Sequence, residues 1–261
     1  MNKPVALITL ASLAMTAALG LNASHTAASP SSSAPPSGSI TVSAAASLTD
    51  VFPMIATAFM KRYPGTSVKF NFAGSSTLVQ QVIAGAPVDV LATASEPTMS
   101  KAVKVGFVGR PLLFAKNSMA IAMPAGNPAK ISTLSSLNRS GLLVAVCAVS
   151  VPCGTAARDL LMRNSVSVRP VTLELDVRAV LAKVIAGEVD AGIVYVTDVK
   201  SVGSKVSSIA IPSELNVTTT YSIATVNESG NSTAAQAFVD YVRFTTSAQG
   251  IMRAYGFAKP W

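Results

Sequence analysis

From residue 40 onward, short apolar runs alternate with segments whose apolar residues recur every three or four positions, the pattern of strands feeding helices in an α/β fold. Residues 40–44, 68–72 and 88–92 read as strands, and each leads into a helix. Residues 48–63 carry Leu48, Val51, Ile55, Ala58 and Phe59 on one stripe, with Pro53 early enough to bend the helix without abolishing it. Residues 75–84 turn Leu78, Val79, Val82 and Ile83 inward. Ser95-Glu96-Pro97 opens a third helix, with Pro in the first turn, where its missing N–H matters least. A second set follows, with strands at 116–123, 142–147, 171–175, 191–196 and 206–211 and helices at 132–137, 154–164 and 176–185. A strand at 221–226 and helices at 233–244 and 247–255 close the chain. Neither a Gly-rich phosphate loop nor a repeat of solenoid length is present.

Ahead of this pattern, residues 1–28 have the layout of a secretory signal peptide: Lys3, an apolar stretch through Leu21, then the small residues Ala23, Ser24, Ala27 and Ala28. No Cys follows the apolar run, so a bacterial lipoprotein anchor is not encoded there. Residues 29–39 are Ser, Pro or Gly at ten of eleven positions and read as a disordered tether. Beyond residue 21 every apolar run is broken within about ten residues, short of the ~20 that a membrane span needs. The expectation is a protein secreted across the cytoplasmic membrane.

Composition then removes several functions. The 261 residues are 50% hydrophobic and 12% charged, with 20 Lys+Arg against 12 Asp+Glu, a size that suits one or two folded domains. The basic excess is spread out, Lys61-Arg62 being the one adjacent basic pair, so no nucleic-acid partner is expected. The single histidine, His25, lies in the segment expected to be removed. That excludes Ser-His-Asp and Cys-His catalysis and His-ligated metals from the body of the protein. Cys147 and Cys153 are the two cysteines; in an exported chain they are expected to form a disulfide, the alternatives being two buried thiols or a reactive one. The five residues between them are too many for a CxxC redox motif.

Candidate chemistry gathers where strands meet helices. The junctions at 44–48 (AAASL) and 73–78 (AGSSTL) each place a serine, Ser47 and Ser75, at or just before a helix start. Exposed N–H groups and partial positive charge at a helix start, joined by a hydroxyl donor, can hold an anionic oxygen. A single such junction is an ordinary cap. Two of them at the carboxyl ends of early strands mark the edge where open α/β sheets bind ligands. The stretches at 151–154 (VPCG) and 175–179 (LDVRA) add two more junctions. Tyr195 ends an apolar strand, so its hydroxyl needs a partner, either a backbone carbonyl or a ligand.

Taken together, AAASLTD, FAGSSTL with QVIAGAPVDV after it, VPCG, LDVRAVLAKV, GIVYVTD and the terminal YGF resemble the periplasmic molybdate-binding proteins of ABC importers, over about residues 40–257. The resemblance implies a two-lobed type II solute-binding fold, with two α/β lobes, a double-stranded hinge, and molybdate or tungstate held between the lobes. By motif position it implies contacts from Ser47 and Ser75 in the first lobe and from Cys153, Val177 and Tyr195 in the second. Where the family usually has Ala, this chain has Cys153, a change that a backbone N–H contact tolerates. The lobes are expected at 40–117 with 220–261, and at 118–219, because the closing helices need the sheet that the opening units supply. The chain would cross between them near 116–118 and 217–221.

Molybdate is a dianion with only acceptor oxygens, so its site should consist of donors. Helix starts and hydroxyls can supply these without a buried cation whose desolvation would cost several kcal/mol. Phosphate carries a proton at neutral pH and would need an acceptor. The expected function is capture of molybdate or tungstate and delivery to an ABC permease, by a monomer, with no catalysis and no cofactor. Alternatives are a binder of another oxyanion such as sulfate, a cysteine-using enzyme on a related two-lobed scaffold, and an adhesion or scaffolding domain.

Overall fold

The computed structural model describes residues 35–261; the expected signal peptide and the first part of the tether lie outside the described residues. The tether's end differs from expectation. Strand β1 spans Gly38–Ala45, so its first two residues fall inside the segment read as disordered. They are held because the Gly38 N–H donates to the Gly65 carbonyl at 2.7 Å and Asn231 Nδ2 donates to the Ser37 carbonyl at 2.7 Å.

After β1 come helix α1 (Val51–Arg62), β2 (Thr66–Ala73), α2 (Ser75–Ile83), β3 (Val90–Thr93), α3 (Glu96–Lys104) and β4 (Leu112–Pro124). Then follow β5 (Val144–Cys147), α4 (Pro152–Arg163), β6 (Thr172–Glu174), α5 (Val177–Ile185), β7 (Ala191–Tyr195), α6 (Val196–Val202), β8 (Val206–Ala210), β9 (Thr218–Thr225), α7 (Ser232–Phe244) and α8 (Thr246–Ala254). The continuous helix read at 48–63 is instead a 3-10 turn, Ala46–Leu48, followed by α1. Pro53 in the first turn of α1 explains the break, since a proline ring clashes with the carbonyl four residues back. The short helix expected at 132–137 is a 3-10 turn, Leu134–Asn138, capped by Thr133. Helix α6, where the apolar run was read on into residue 196 as strand, was not foreseen.

The strands hydrogen-bond in the order β2-β1-β3-β9-β4-β7-β5-β6, with β8 on β4. Strand β4 belongs to both ends of that order. Its residues from Leu112 to Ser118 run antiparallel to β9, and those from Met119 onward pair with β7 and β8. The apolar contacts divide at the same place. One buried cluster is drawn from Met119 through Val217. A second joins β1, α1, Phe114, Tyr221 and the two closing helices, and a third joins α2, α3 and Val226. In the second cluster Phe52 packs on Phe114 and Phe238, with ring centroids 5.8 and 6.2 Å apart. Each buried aromatic of this kind contributes roughly 1.5 to 3 kcal/mol, which holds α7 against the opening strand–helix units.

Candidate ligand-binding site

Strands β1, β2 and β3 and the parallel pair β5 and β7 end facing a cavity where the first and second clusters meet. The cavity is small, ≈ 20 Å³ counted as room for the centre of a water, against about 10 to 15 Å³ needed by one water. Its size suits one compact ion. Twelve residues line it: Ala45, Ala46, Ser47, Gly74, Ser75 and Ala94 from one side, and Val151, Pro152, Cys153, Asp176, Val177 and Tyr195 from the other. The five residues singled out in the sequence, Ser47, Ser75, Cys153, Val177 and Tyr195, are all among them. No Lys or Arg is.

Local chain chemistry places these groups. Helix α2 starts at Ser75 with Gly74 as N-cap and no side-chain cap, so the first-turn N–H groups are not taken by a neighbouring side chain. A Cβ on Gly74 would run into the Leu175 carbonyl of the opposite side, which is why a residue without a side chain sits there. Helix α4 begins at Pro152, also without a side-chain cap. The Cys147–Cys153 disulfide forms, with Cα atoms 5.7 Å apart, and ties the first turn of α4 to the end of β5. Helix α5 is capped by Asp176, whose Oδ1 accepts from the N–H groups of Arg178 and Ala179 at 2.8 and 3.0 Å. That cap leaves the Val177 N–H outside it.

Asp176 is the one carboxylate-bearing residue on the cavity wall, and sequence pattern alone does not mark it. Its carboxylate is engaged by the start of α5 through two N–H donors.

The hydroxyls are unequal. Ser75 Oγ accepts the Ala94 N–H at 3.0 Å, and Ser47 Oγ lies 2.8 Å from the Tyr221 hydroxyl. Tyr195, 1% exposed, leaves its hydroxyl without a hydrogen-bond partner among the described residues, as does buried Thr219 Oγ1. Of these two only Tyr195 lines the cavity. Burial raises the Tyr195 phenol well above its ordinary pKa, so it stays a neutral donor. No backbone carbonyl among the described residues accepts from it.

Around the cavity the two sides touch directly. Ser76 Oγ donates to the Ser150 carbonyl at 2.7 Å. Arg178 reaches from α5 to Asp50 Oδ2 at 2.6 Å, and its other nitrogen donates to Ser201 at 2.9 Å and lies 3.5 Å from Asp198. Asp198 is fully buried, and its Oδ2 accepts the Tyr195 N–H at 3.0 Å. Burial pushes the Asp198 carboxyl up to about 7, against the opposing pull of Arg178. These polar partners were invisible in the sequence because they lie 128 and 20 residues apart and follow no local pattern.

Among the described residues no group of three or more His, Cys, Asp or Glu could hold a metal ion, and no helix is long and apolar enough to cross a membrane.

Residues 40–258 match the family model described as bacterial extracellular solute-binding protein. The molybdate-binding protein ModA of Mycobacterium tuberculosis is 43% identical over 237 residues, covering 90% of each chain, and that of Escherichia coli is 36% identical, covering 84% of this chain and 89% of its own. Among solved structures, the periplasmic molybdate-binding protein of Azotobacter vinelandii superposes with a TM-score of 0.75 at 18% identity, over 85% of this chain and all of the other. The sulfate-binding protein SubI of Mycobacterium tuberculosis gives 0.74 at 22%, over 85% of this chain and 87% of its own. The fold is thus that of the two-lobed periplasmic binding proteins. By family match and by sequence identity to ModA, the chain belongs to the bacterial extracellular solute-binding proteins.

Proposed function

We propose that this chain binds molybdate, and with it tungstate, in the cavity between its two halves, and delivers the oxyanion to the permease of an ABC transporter outside the cytoplasmic membrane. The observation that carries the reading is the donor character of a cavity sized for one small ion. Ser47 and Ser75 each have an oxygen already engaged by a neighbour, Tyr195 carries an unpartnered buried hydroxyl, and three helices start at the wall. An unpaired buried hydroxyl costs about 1 to 3 kcal/mol, and a ligand oxygen would remove that cost. The ModA relatives bind molybdate by name, which supports the same ligand here.

On this reading Ser47, Ser75 and Tyr195 donate through hydroxyls, and Cys153 and Val177 through the backbone at the starts of α4 and α5. The lobes are residues 40–117 with 220–261, and residues 118–219. Strands β4 and β9 carry the chain between them and bend as the lobes close on the ion. Delivery requires only a monomer, and the signal segment at 1–28 would direct export. Calorimetric titration of the purified protein tests this directly. Molybdate and tungstate should bind one per chain with sulfate weaker and phosphate weaker still; sulfate binding more tightly than molybdate would refute the assignment.

A further inference from the structure

The hydrogen bonds behind the cavity fix which way its serine protons point. Asn117 is 3% exposed. Its Oδ1 accepts the Ser118 N–H at 3.0 Å, which settles the orientation of the amide because a backbone N–H can only donate. Its Nδ2 therefore faces the other two partners, Thr197 Oγ1 at 2.7 Å and the Tyr221 hydroxyl at 3.2 Å. An amide nitrogen donates and does not accept, so the Tyr221 oxygen is an acceptor in that bond. The phenol has one proton left to place, and of its two other hydroxyl neighbours Ser47 Oγ lies at 2.8 Å in hydrogen-bond geometry, whereas Thr219 Oγ1 makes no hydrogen bond of that geometry. Tyr221 is fully buried, so a proton turned away from Ser47 would give up that short bond at a cost. Its ring is wedged by edge-on contacts with Phe114 and Phe257, centroids 6.0 and 5.5 Å away, and burial raises its pKa, so the proton stays on. Ser47 Oγ thus accepts from Tyr221, and its own proton is left for the cavity. Ser75 reaches the same state by a shorter route, since the donor on its oxygen is the Ala94 N–H.

We infer that Tyr221, held by Asn117, is a positioning and specificity-determining residue that locks Ser47 as a donor and so makes the site select oxyanions carrying no proton. The inference rests on the proposed ligand reading, in which Ser47 contacts the ion. An oxyanion that bears a proton needs an acceptor, and a serine whose oxygen is already occupied by a phenol offers a poor one. If Tyr221 loses its hydroxyl, Ser47 is free to rotate and can accept as well as donate. The site should then bind molybdate less well and discriminate less against hydrogen phosphate.

The test is a double-mutant cycle of Ser47→Ala and Tyr221→Phe in the full protein, titrated with molybdate and with inorganic phosphate at pH 8, where phosphate is mainly the monohydrogen dianion. Ser47→Ala alone should weaken molybdate about tenfold or more. Tyr221→Phe alone should weaken it about tenfold and lower the molybdate-to-phosphate affinity ratio, yet change molybdate affinity by less than about twofold once Ser47 is already Ala. If Tyr221→Phe does not fold, Asn117→Ala, which frees the Tyr221 hydroxyl to turn, should show the same coupling to Ser47 with a smaller loss. An unaffected Ser47→Ala variant would overturn the proposed site itself. A Ser47→Ala loss accompanied by no Tyr221→Phe effect, by an equal Tyr221→Phe effect in both backgrounds, or by an unchanged molybdate-to-phosphate ratio would overturn the positioning role alone.

Discussion

Ser47 and Ser75 line the cavity from the first half of the molecule and, on the proposed reading, face the ion with their hydroxyls, whereas Cys153 and Val177 line it from the second half at the starts of helices, with the disulfide and the Asp176 cap bracing the backbone that carries them. The first wall holds hydroxyls fixed by uncharged neighbours, the Ala94 N–H and the Tyr221 phenol. The second wall is steadied by charge, with Arg178 spanning Asp50 and buried Asp198, and Asp198 holding the Tyr195 N–H. A donor made of a hydroxyl can be removed by one substitution, while a donor made of backbone can only be displaced. The walls should therefore fail differently when perturbed.

The largest expected effect is on the charged wall. The Asp198 pKa is raised in the folded chain from 3.8 to about 7, so the folded state holds this proton more tightly than the unfolded one. The stability it confers is fully present below its unfolded pKa and is lost as pH rises through about 7, an amount on the order of 4 kcal/mol. Asp198→Asn should remove that component. Denaturant titrations at pH 4.5, 6 and 8 would reveal it as a wild-type curve that falls relative to the variant; parallel curves would contradict it.

Next comes the contact between the walls. The three atoms that a Cβ at Gly74 would meet first all belong to Leu175 and Asp176 of the other side. Gly74→Ala should therefore leave each half folded but obstruct closure, weakening molybdate by ~100-fold or more. A variant with wild-type affinity would mean that the halves do not close on the ion as described. Single changes of Ser47 or Ser75 to Ala should each lose about 1 to 3 kcal/mol of binding, the range for removing a hydrogen bond to a charged group. Tyr195→Phe should lose a similar amount with no loss of ligand-free stability, because its hydroxyl has no partner to forfeit. Replacing Cys147 and Cys153 with Ala together should lower stability by roughly 2 kcal/mol on the loop-entropy account and affect molybdate affinity less than either serine change, because a helix start survives loss of its brace. Smallest of all should be the neutralisation of any single Lys or Arg other than Arg178. None lines the cavity, so such charges act only through screened long-range attraction.

The sequence revealed the first wall more fully than what lies behind it. Ser47 and Ser75 stand at strand-to-helix junctions, where an apolar run, a small polar residue and a helical stripe occur within six or seven positions. The cysteine pair was legible for a similar reason, being six residues apart in an exported chain. Tyr221 and Asn117 carry no such signal. Each sits within a strand, and the bonds that give them a role join residues 174 and 104 positions apart, which no local period encodes. Helix α6 was missed because no Gly or Pro separates it from β7; its start is set instead by Asp198 reaching back to the Tyr195 N–H. The apolar stripe alone extends a helix back to residue 48, but Pro53 moves the start of α1 to Val51.

Where the ion sits and what touches it decide between a donor-walled site and any other. A crystal structure of the molybdate complex, with data collected at the molybdenum absorption edge, locates the metal without reference to the protein atoms. One anomalous peak is expected between the two walls, with Ser47, Ser75 and Tyr195 hydroxyls and the starts of α4 and α5 around its oxygens and no Lys or Arg in contact. A peak outside this cavity, or one whose oxygens are held by a cationic side chain, would contradict the donor-walled site.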